Sequence, residues 1–185
     1  MKGIKEKYKK EVIPEMVKEF NYKSVMAVPK LEKVVINMGV GKYLKGKASD
    51  KKEELLNYFK RDIALLSGQS PVVTKARKSI SGFEIRQGDP TGIKVTLRRE
   101  MMNQFLNKLI NVVLPRVRDF QGIDASSLDS SGNLTIGIEE QIVFPEIPAD
   151  ERDFIFPLEV SIINDASSKE EGEALFRKLG FPIKK

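Results

Sequence analysis

The sequence predicts an α+β fold: a largely antiparallel sheet with helices packed on one face and the opposite face free. Two patterns carry that expectation. Several segments alternate apolar and polar residues with period two, the sign of strands buried on one side only. Between them run segments whose apolar residues recur at helical spacing. The 185 residues, 41% of them hydrophobic, suffice for a single domain over 1–185 with a real core.

Ile4, Tyr8, Val12, Met16 and Phe20 lie at helical spacing, and Pro14, which has no N–H, marks the start of a second segment, so one broken helix is expected. From Leu31 to Met38 the period becomes two, with Val34, Ile36 and Met38 on one face and Lys33, Val35 and Asn37 on the other. Asp50 and Glu53 have the spacing of a capping box for a helix carrying Leu55, Leu56, Phe59, Ile63 and Leu66, which stops near Gly68. Another helix is expected from about Glu100 to Leu114, with Met102, Phe105, Leu109 and Val113 inward and Pro115 closing it. Leu134, Ile136 and Ile138 alternate again, as do Leu158, Val160 and Ile162. A last helix from about Ser168 to Leu179 has Ser168 and Glu171 to cap it and Gly180 to end it. The Gly, Ser and Asp-rich stretch from Gly122 to Gly132 reads as a loop rather than a linker, and no internal repeat is present.

The formal charge of +6 is unevenly divided. Residues 1–118 hold 26 basic and 12 acidic side chains, a balance of +14, whereas residues 119–185 hold 6 and 14, a balance of −8. These are a basic and an acidic part of one domain. The asymmetry fits a polyanion on one surface and a different partner on another; ordinary solvated faces on a basic protein are the alternative. With no cysteine there is no disulfide framework, thiolate nucleophile or zinc knuckle. No apolar stretch resembles a signal peptide or approaches membrane-spanning length, so an intracellular protein with no membrane partner is expected.

The charge is concentrated between Pro71 and Arg99, where seven Lys or Arg face two acids. The stretch reads as two short strands, around Val72 to Ala76 and Ile93 to Arg99, joined by a basic loop with Gly82, Gly88 and Gly92. In the second strand Ile93, Val95 and Leu97 face the core, leaving Lys94, Thr96 and Arg98 on the free face. Asn37, Gln69, Thr74, Thr96 and Arg98 offer hydrogen-bonding groups suited to the 2′-hydroxyls and phosphates of an A-form minor groove, and Lys75, Arg77, Lys78 and Arg86 offer charge. Phe83, beside Gly82, either stacks on an exposed base or folds back over a small core beneath the loop. For Asn37 and Thr96 the competing reading is ordinary polar alternation on a wet sheet face.

Enzymatic readings have little to stand on. Gly41 to Ala48, GKYLKGKA, nearly spells a phosphate-binding loop, with Gly41, Gly46 and Lys47 correctly separated. Ala48 stands where a magnesium-binding hydroxyl belongs, and an antiparallel sheet is the wrong setting. Without His or Cys the usual acid–base relays are absent, and Glu139 and Glu140, being adjacent, point to opposite faces of a strand. Asp150, Glu151 and Asp153 form a charge run that adds to an acidic surface able to meet a basic protein. No catalytic residue, cofactor, metal site or small-molecule substrate is expected.

Three long motifs, FNYKSVMAVPKLEKVVINMGVG (Phe20 to Gly41), SGQSPVVTKARKSISGFEIRQGDPTGIKVTLR (Ser67 to Arg98) and EEQIVFPEI (Glu139 to Ile147), closely resemble the bacterial members of the large-subunit ribosomal protein L-five family, the universal 5S rRNA-binding ribosomal proteins. The resemblance extends to GFPIKK at the C-terminus. It implies an α+β structural protein of the central protuberance, in the cytoplasmic ribosome, whose sheet binds 5S rRNA. Asn37, Gln69, Phe83 and Thr96 match the family's 5S-binding positions, with Arg98 adjacent. The resemblance further implies that the loop from Lys75 to Gly88, including Lys75, Arg77, Lys78, Ser79, Gly82 and Arg86, reaches the elbow of P-site tRNA. Large-subunit rRNA and a bridge to small-subunit protein S-thirteen complete the implied partners. The chain departs from the family pattern in a longer stretch from Lys42 to Glu54, in Glu84 where Lys is common, in Arg99 where Gly is common, and in a less Thr-rich SIINDA at Ser161 to Ala166.

Overall fold

A computed structural model describes residues 3–147 and 154–184; the acidic run Asp150, Glu151 and Asp153 lies outside the described residues. The strands are β1 (Leu31–Gly39), β2 (Val72–Lys75), β3 (Pro90–Leu97), β4 (Leu134–Ile138) and β5 (Leu158–Asn164). They form a five-stranded antiparallel sheet in the order β2-β3-β1-β5-β4, and the fold is α+β, as the alternation predicts. Their apolar residues are buried at every second position: Val34, Ile36 and Met38; Ile93, Val95 and Leu97; Leu134, Ile136 and Ile138; Leu158, Val160 and Ile162. Asn37, Lys94, Thr135 and Glu159, on the alternate positions, are exposed. The period-two pattern therefore sorts the sheet into a dry face and a wet one.

The chain forms two compact units: Met1–Val34, Leu97–Ile136 and Val160–Lys185 in the first, Val35–Thr96 and Gly137–Glu159 in the second. The first unit contains α1 (Ile4–Lys7), a π-helical stretch (Tyr8–Val12) and α2 (Ile13–Phe20), then α5 (Arg99–Lys108), a second π-helical stretch (Leu109–Val113), α6 (Leu114–Arg116) and α7 (Lys169–Leu179). Both π stretches end just before a proline. The N–H of Ile13, preceding Pro14, donates to the carbonyl of Tyr8, and that of Leu114, preceding Pro115, to the carbonyl of Leu109, five residues back in each case. A proline ring clashes with the carbonyl four residues earlier and has no N–H to give it, and one wider turn accommodates this without ending the helix. Pro14 thus marks a change of pitch rather than a break. Pro115 does not close its helix as expected but sits inside a last short turn that runs to Arg116.

At the end of the first unit, Ser168 accepts from the N–H of Glu171, and Gly180, with φ of 103°, ends α7, both as the sequence predicts. Buried Asn164 is satisfied by donating from Nδ2 to the carbonyl of Gly132 (2.6 Å) and accepting from the N–H of Ala166 (2.8 Å). The loop from Gly122 to Gly132 is held by Asp129, whose carboxylate accepts from the N–H groups of Ser131 and Asn133 and from the Asn133 amide. Those three donors hold the Asp129 carboxyl below the usual range, chiefly through the Asn133 side chain.

The second unit contains α3 (Gly41–Leu44) and α4 (Ser49–Ser67). Asp50 and Glu53 do not form the expected capping box. The N-cap is Ala48, so Asp50 already lies inside the first turn, and no side chain bonds at the cap. Gly68, with φ of 70°, ends α4 as predicted. Phe59 anchors this unit, with the rings of Tyr43, Tyr58, Phe154 and Phe156 at centroid distances from 5.2 to 6.1 Å. Fully buried Gln141 donates to the carbonyl of Phe154 (2.7 Å) and accepts from the N–H of Phe156 (2.8 Å), tying the chain entering β5 to that aromatic cluster. No helix among the described residues is long and apolar enough to cross a membrane.

Candidate nucleic-acid interface

The expected RNA-facing residues other than Arg98 fall within the second unit. Antiparallel pairing of β2 with β3 sets Val72 opposite Lys94 and Thr74 opposite Gly92. Directly paired residues share a face, so half-buried Thr74 and buried Gly92 lie on the same side as exposed Lys94, and half-buried Thr96 follows two residues on. Asn37 is exposed on β1, the next strand of the sheet. A Cβ placed on Gly92 would lie 2.7 Å from Thr74 Oγ1, 3.1 Å from the Met38 carbonyl oxygen and 3.7 Å from Asn37 Oδ1. The absence of a side chain at Gly92 is what lets Thr74 and Asn37 converge.

This corrects the boundary expected for β3. The strand begins at Pro90, so Gly92 is an interior strand residue rather than part of the loop, and it belongs to the site. Gly92 is the member that reading residue types as hydrogen-bond donors and acceptors leaves out; its pairing with Thr74 brings it in.

Gln69 is exposed just past the end of α4, with its backbone held by Ser67: the Ser67 hydroxyl accepts from the Gln69 N–H (3.3 Å) and donates its one proton to the Ile63 carbonyl (2.6 Å), with the Gln69 carbonyl 3.0 Å away as the second acceptor. Arg98 is exposed at the N-cap of α5, beyond the end of β3 and within the first unit's residues.

The basic loop is an irregular hairpin rather than a slack connection. Ala76 exchanges backbone bonds with Asp89 and Gly88, and Ile80 pairs with Ile85 closer to the tip. Lys75, Arg77, Lys78 and Arg86 are exposed. Ser79 is turned to internal use, its hydroxyl accepting from the Gln87 N–H (2.9 Å). Gly82 faces open space. Phe83, at the end of a short turn (Ser81–Phe83), is 69% exposed and does not fold back over a core. An aromatic ring left in water on a cationic loop is available for stacking.

Both acids of the segment are engaged within the protein. Asp89 Oδ2 accepts from the Arg86 N–H (2.8 Å), and Glu84 pairs with Lys45 Nζ at 3.1 Å. Glu84 and the stretch after Lys42 therefore meet. That stretch is no phosphate loop: Gly41–Leu44 takes one helical turn, on an antiparallel sheet.

Comparison with known proteins agrees with the architecture. Residues 24–86 match the family model described as ribosomal protein L5, and residues 90–183 match the model of that family's C-terminus. The chain is 48% identical over 184 residues to large ribosomal subunit protein uL5 of Geotalea daltonii, covering 100% of this chain and 99% of that protein. It is also 48% identical over 185 residues to the protein of the same name from Caldanaerobacter subterraneus, with 100% of both covered. With both family models and full-length relatives matched, the chain belongs to the ribosomal protein L5 family.

Proposed function

We propose that this chain binds 5S rRNA at Asn37, Thr74 and Thr96 on its sheet, at Phe83 on the tip of its basic hairpin, at Gln69 past α4 and at Arg98 on the N-cap of α5. Membership of the family makes it a structural, non-enzymatic component of the large ribosomal subunit, associated with ribosomal RNA. The observation that carries the finer reading is the convergence of Asn37 and half-buried Thr74 over Gly92, on the sheet face that also carries exposed Lys94. Short side chains with both donors and acceptors, on a flat surface, suit the shallow minor groove and 2′-hydroxyls of A-form RNA. The adjoining hairpin supplies exposed cations whose two acidic neighbours are already engaged.

The same hairpin, through Lys75, Arg77, Lys78, Ser79, Gly82 and Arg86, contacts P-site tRNA on this reading. Ser79 acts there by holding the loop's shape. The acidic residues of 119–185 suit a basic protein, and small-subunit protein S-thirteen is the partner the family resemblance supplies for an intersubunit bridge in the cytoplasmic ribosome.

Titrating the full chain with transcribed 5S rRNA tests the reading. Asn37→Ala and Thr96→Ala are each expected to cost about 1 kcal/mol or more of binding by leaving an RNA group unsatisfied. Log affinity is expected to fall against log salt with a slope of about 0.7 to 0.9 per neutralised phosphate. Unchanged affinity in both variants removes the sheet face from the interface, and a salt-independent affinity removes the electrostatic account.

A further inference from the structure

We propose that Glu84 and Lys45 are positioning residues: their ion pair holds the hairpin tip so that Phe83 stays turned outward for RNA, an inference that rests on the RNA-binding reading above. Within the tip itself the restraints are backbone hydrogen bonds, and the Lys45–Glu84 pair is the side-chain contact added to them. Ile80 pairs with Ile85, and inside that bridge Phe83 and Glu84 donate to the carbonyls of Ile80 and Ser81. Glu84 then takes a left-handed backbone with φ of 55°, unusual for a residue with a side chain. In such a turn the Cα–Cβ directions of consecutive residues are coupled through the backbone, so holding Glu84 holds the direction in which Phe83 leaves the chain.

The fixing comes from outside the hairpin. A cleft of about 370 Å³ separates the segment around Leu44, Lys45 and Gly46 from the tip residues Phe83, Glu84 and Ile85, and the Lys45–Glu84 pair, at 3.1 Å, spans it. The two side chains are 57% and 68% exposed, so the pair is a weak strut. A weak strut suffices to bias a three-residue turn whose hairpin is already held by the Ile80–Ile85 bridge and, behind it, by the bond from Gln87 to Ser79. The alternative role for a carboxylate in a cationic hairpin is to face the RNA and repel it, and the two roles predict opposite signs.

The test uses the full chain with 4-fluorophenylalanine placed at position 83, and 5S rRNA as the probe, in wild type, Lys45→Glu, Glu84→Lys and the double exchange. In the free protein each single change is expected to move the fluorine resonance, and the double exchange to return it. Affinity for 5S rRNA is expected to fall about two- to fivefold in each single variant, the size of an exposed ion pair, and to recover in the double. The fall in Glu84→Lys comes despite two added units of positive charge, with the salt slope unchanged. Tighter binding by Glu84→Lys with a slope steeper by about 0.7 to 0.9 would show that residue 84 faces a phosphate and overturn the proposal. A fluorine resonance indifferent to both single changes overturns it as well. If wild type does not bind 5S rRNA, the RNA reading fails, and the fluorine arm still decides the pairing.

Discussion

Gly92 shows how much of the proposed interface rests on an atom that is absent. A Cβ there would come within 2.7 Å of Thr74 Oγ1 and 3.1 Å of the Met38 carbonyl, so the hydroxyl, the movable group of the two, has to give way. Gly92→Ala is expected to stay folded while losing about 1 to 3 kcal/mol of stability through overpacking. Its affinity for 5S rRNA should fall about tenfold, equivalent to roughly 1.4 kcal/mol. Wild-type affinity in a folded Gly92→Ala protein would show that the cluster over Gly92 takes no part in binding. Arg99 poses the opposite case, a large side chain held at φ of 52° in the first turn of α5. The left-handed conformation costs a non-glycine residue about 1 to 2 kcal/mol, partly offset by the greater entropy that glycine loses on folding. Arg99→Gly is therefore expected to raise the urea midpoint, by up to about 1 kcal/mol in stability; a lowered midpoint would mean that the guanidinium makes contacts worth more than the strain.

Among the elements, α7 depends on a close backbone approach. A Cβ on Gly172 would lie 2.4 Å from the Gly132 carbonyl oxygen and 2.6 Å from its Cα, so the loop ending at Gly132 lies directly against the first turns of the helix. Asn164 donates to that same carbonyl, and Asn133 Oδ1 accepts from the Asn164 N–H, which keeps the loop from moving aside. Gly172→Ala should therefore destabilise the protein by about 1 to 3 kcal/mol or more, although alanine is the better helix former. Thermal unfolding checks the sign, and a gain in Tm would mean that the loop yields freely. The two π-helical stretches belong to the same scale: in each, a proline changes the pitch of a helix that tertiary packing keeps intact, with buried Val12 and Met16 around Pro14 and buried Val113 and Leu114 before Pro115.

Across the whole molecule, the distant ends of the chain meet in the first unit through Lys178 of α7. Its ammonium lies 3.1 Å from Glu15 and 2.9 Å from Glu19 of α2. The hydrogen bond it donates to Glu19 is the largest cause raising its pKa above the ordinary 10.5. A raised folded-state value means that this contribution is fully present below about 10.5 and is lost as pH climbs through the folded value. Wild type is therefore expected to lose stability more steeply than Lys178→Met above about pH 10.5; parallel denaturation profiles would show that the triad adds nothing. The strand faces, the helix-ending glycines at 68 and 180, the Ser168 cap and the family itself were legible in the sequence. Each rests on local periodicity, short-range backbone chemistry or long quoted motifs. Less legible were the start of β3, the place of Gly92 in the site, the use of Ser79, and the direction of Phe83. The false capping box at Asp50 and the supposed stop at Pro115 were misread because a motif states what a segment prefers in isolation, whereas neighbouring elements decide where it begins and ends. Sequence by itself determined which residues are apolar, polar and charged on each strand, and hence the α+β class and the cationic hairpin. Only the tertiary structure decided which of them meet, because the register of β2 on β3 and the contact between Lys45 and Glu84 join residues far apart in the chain, and no local pattern encodes that distance.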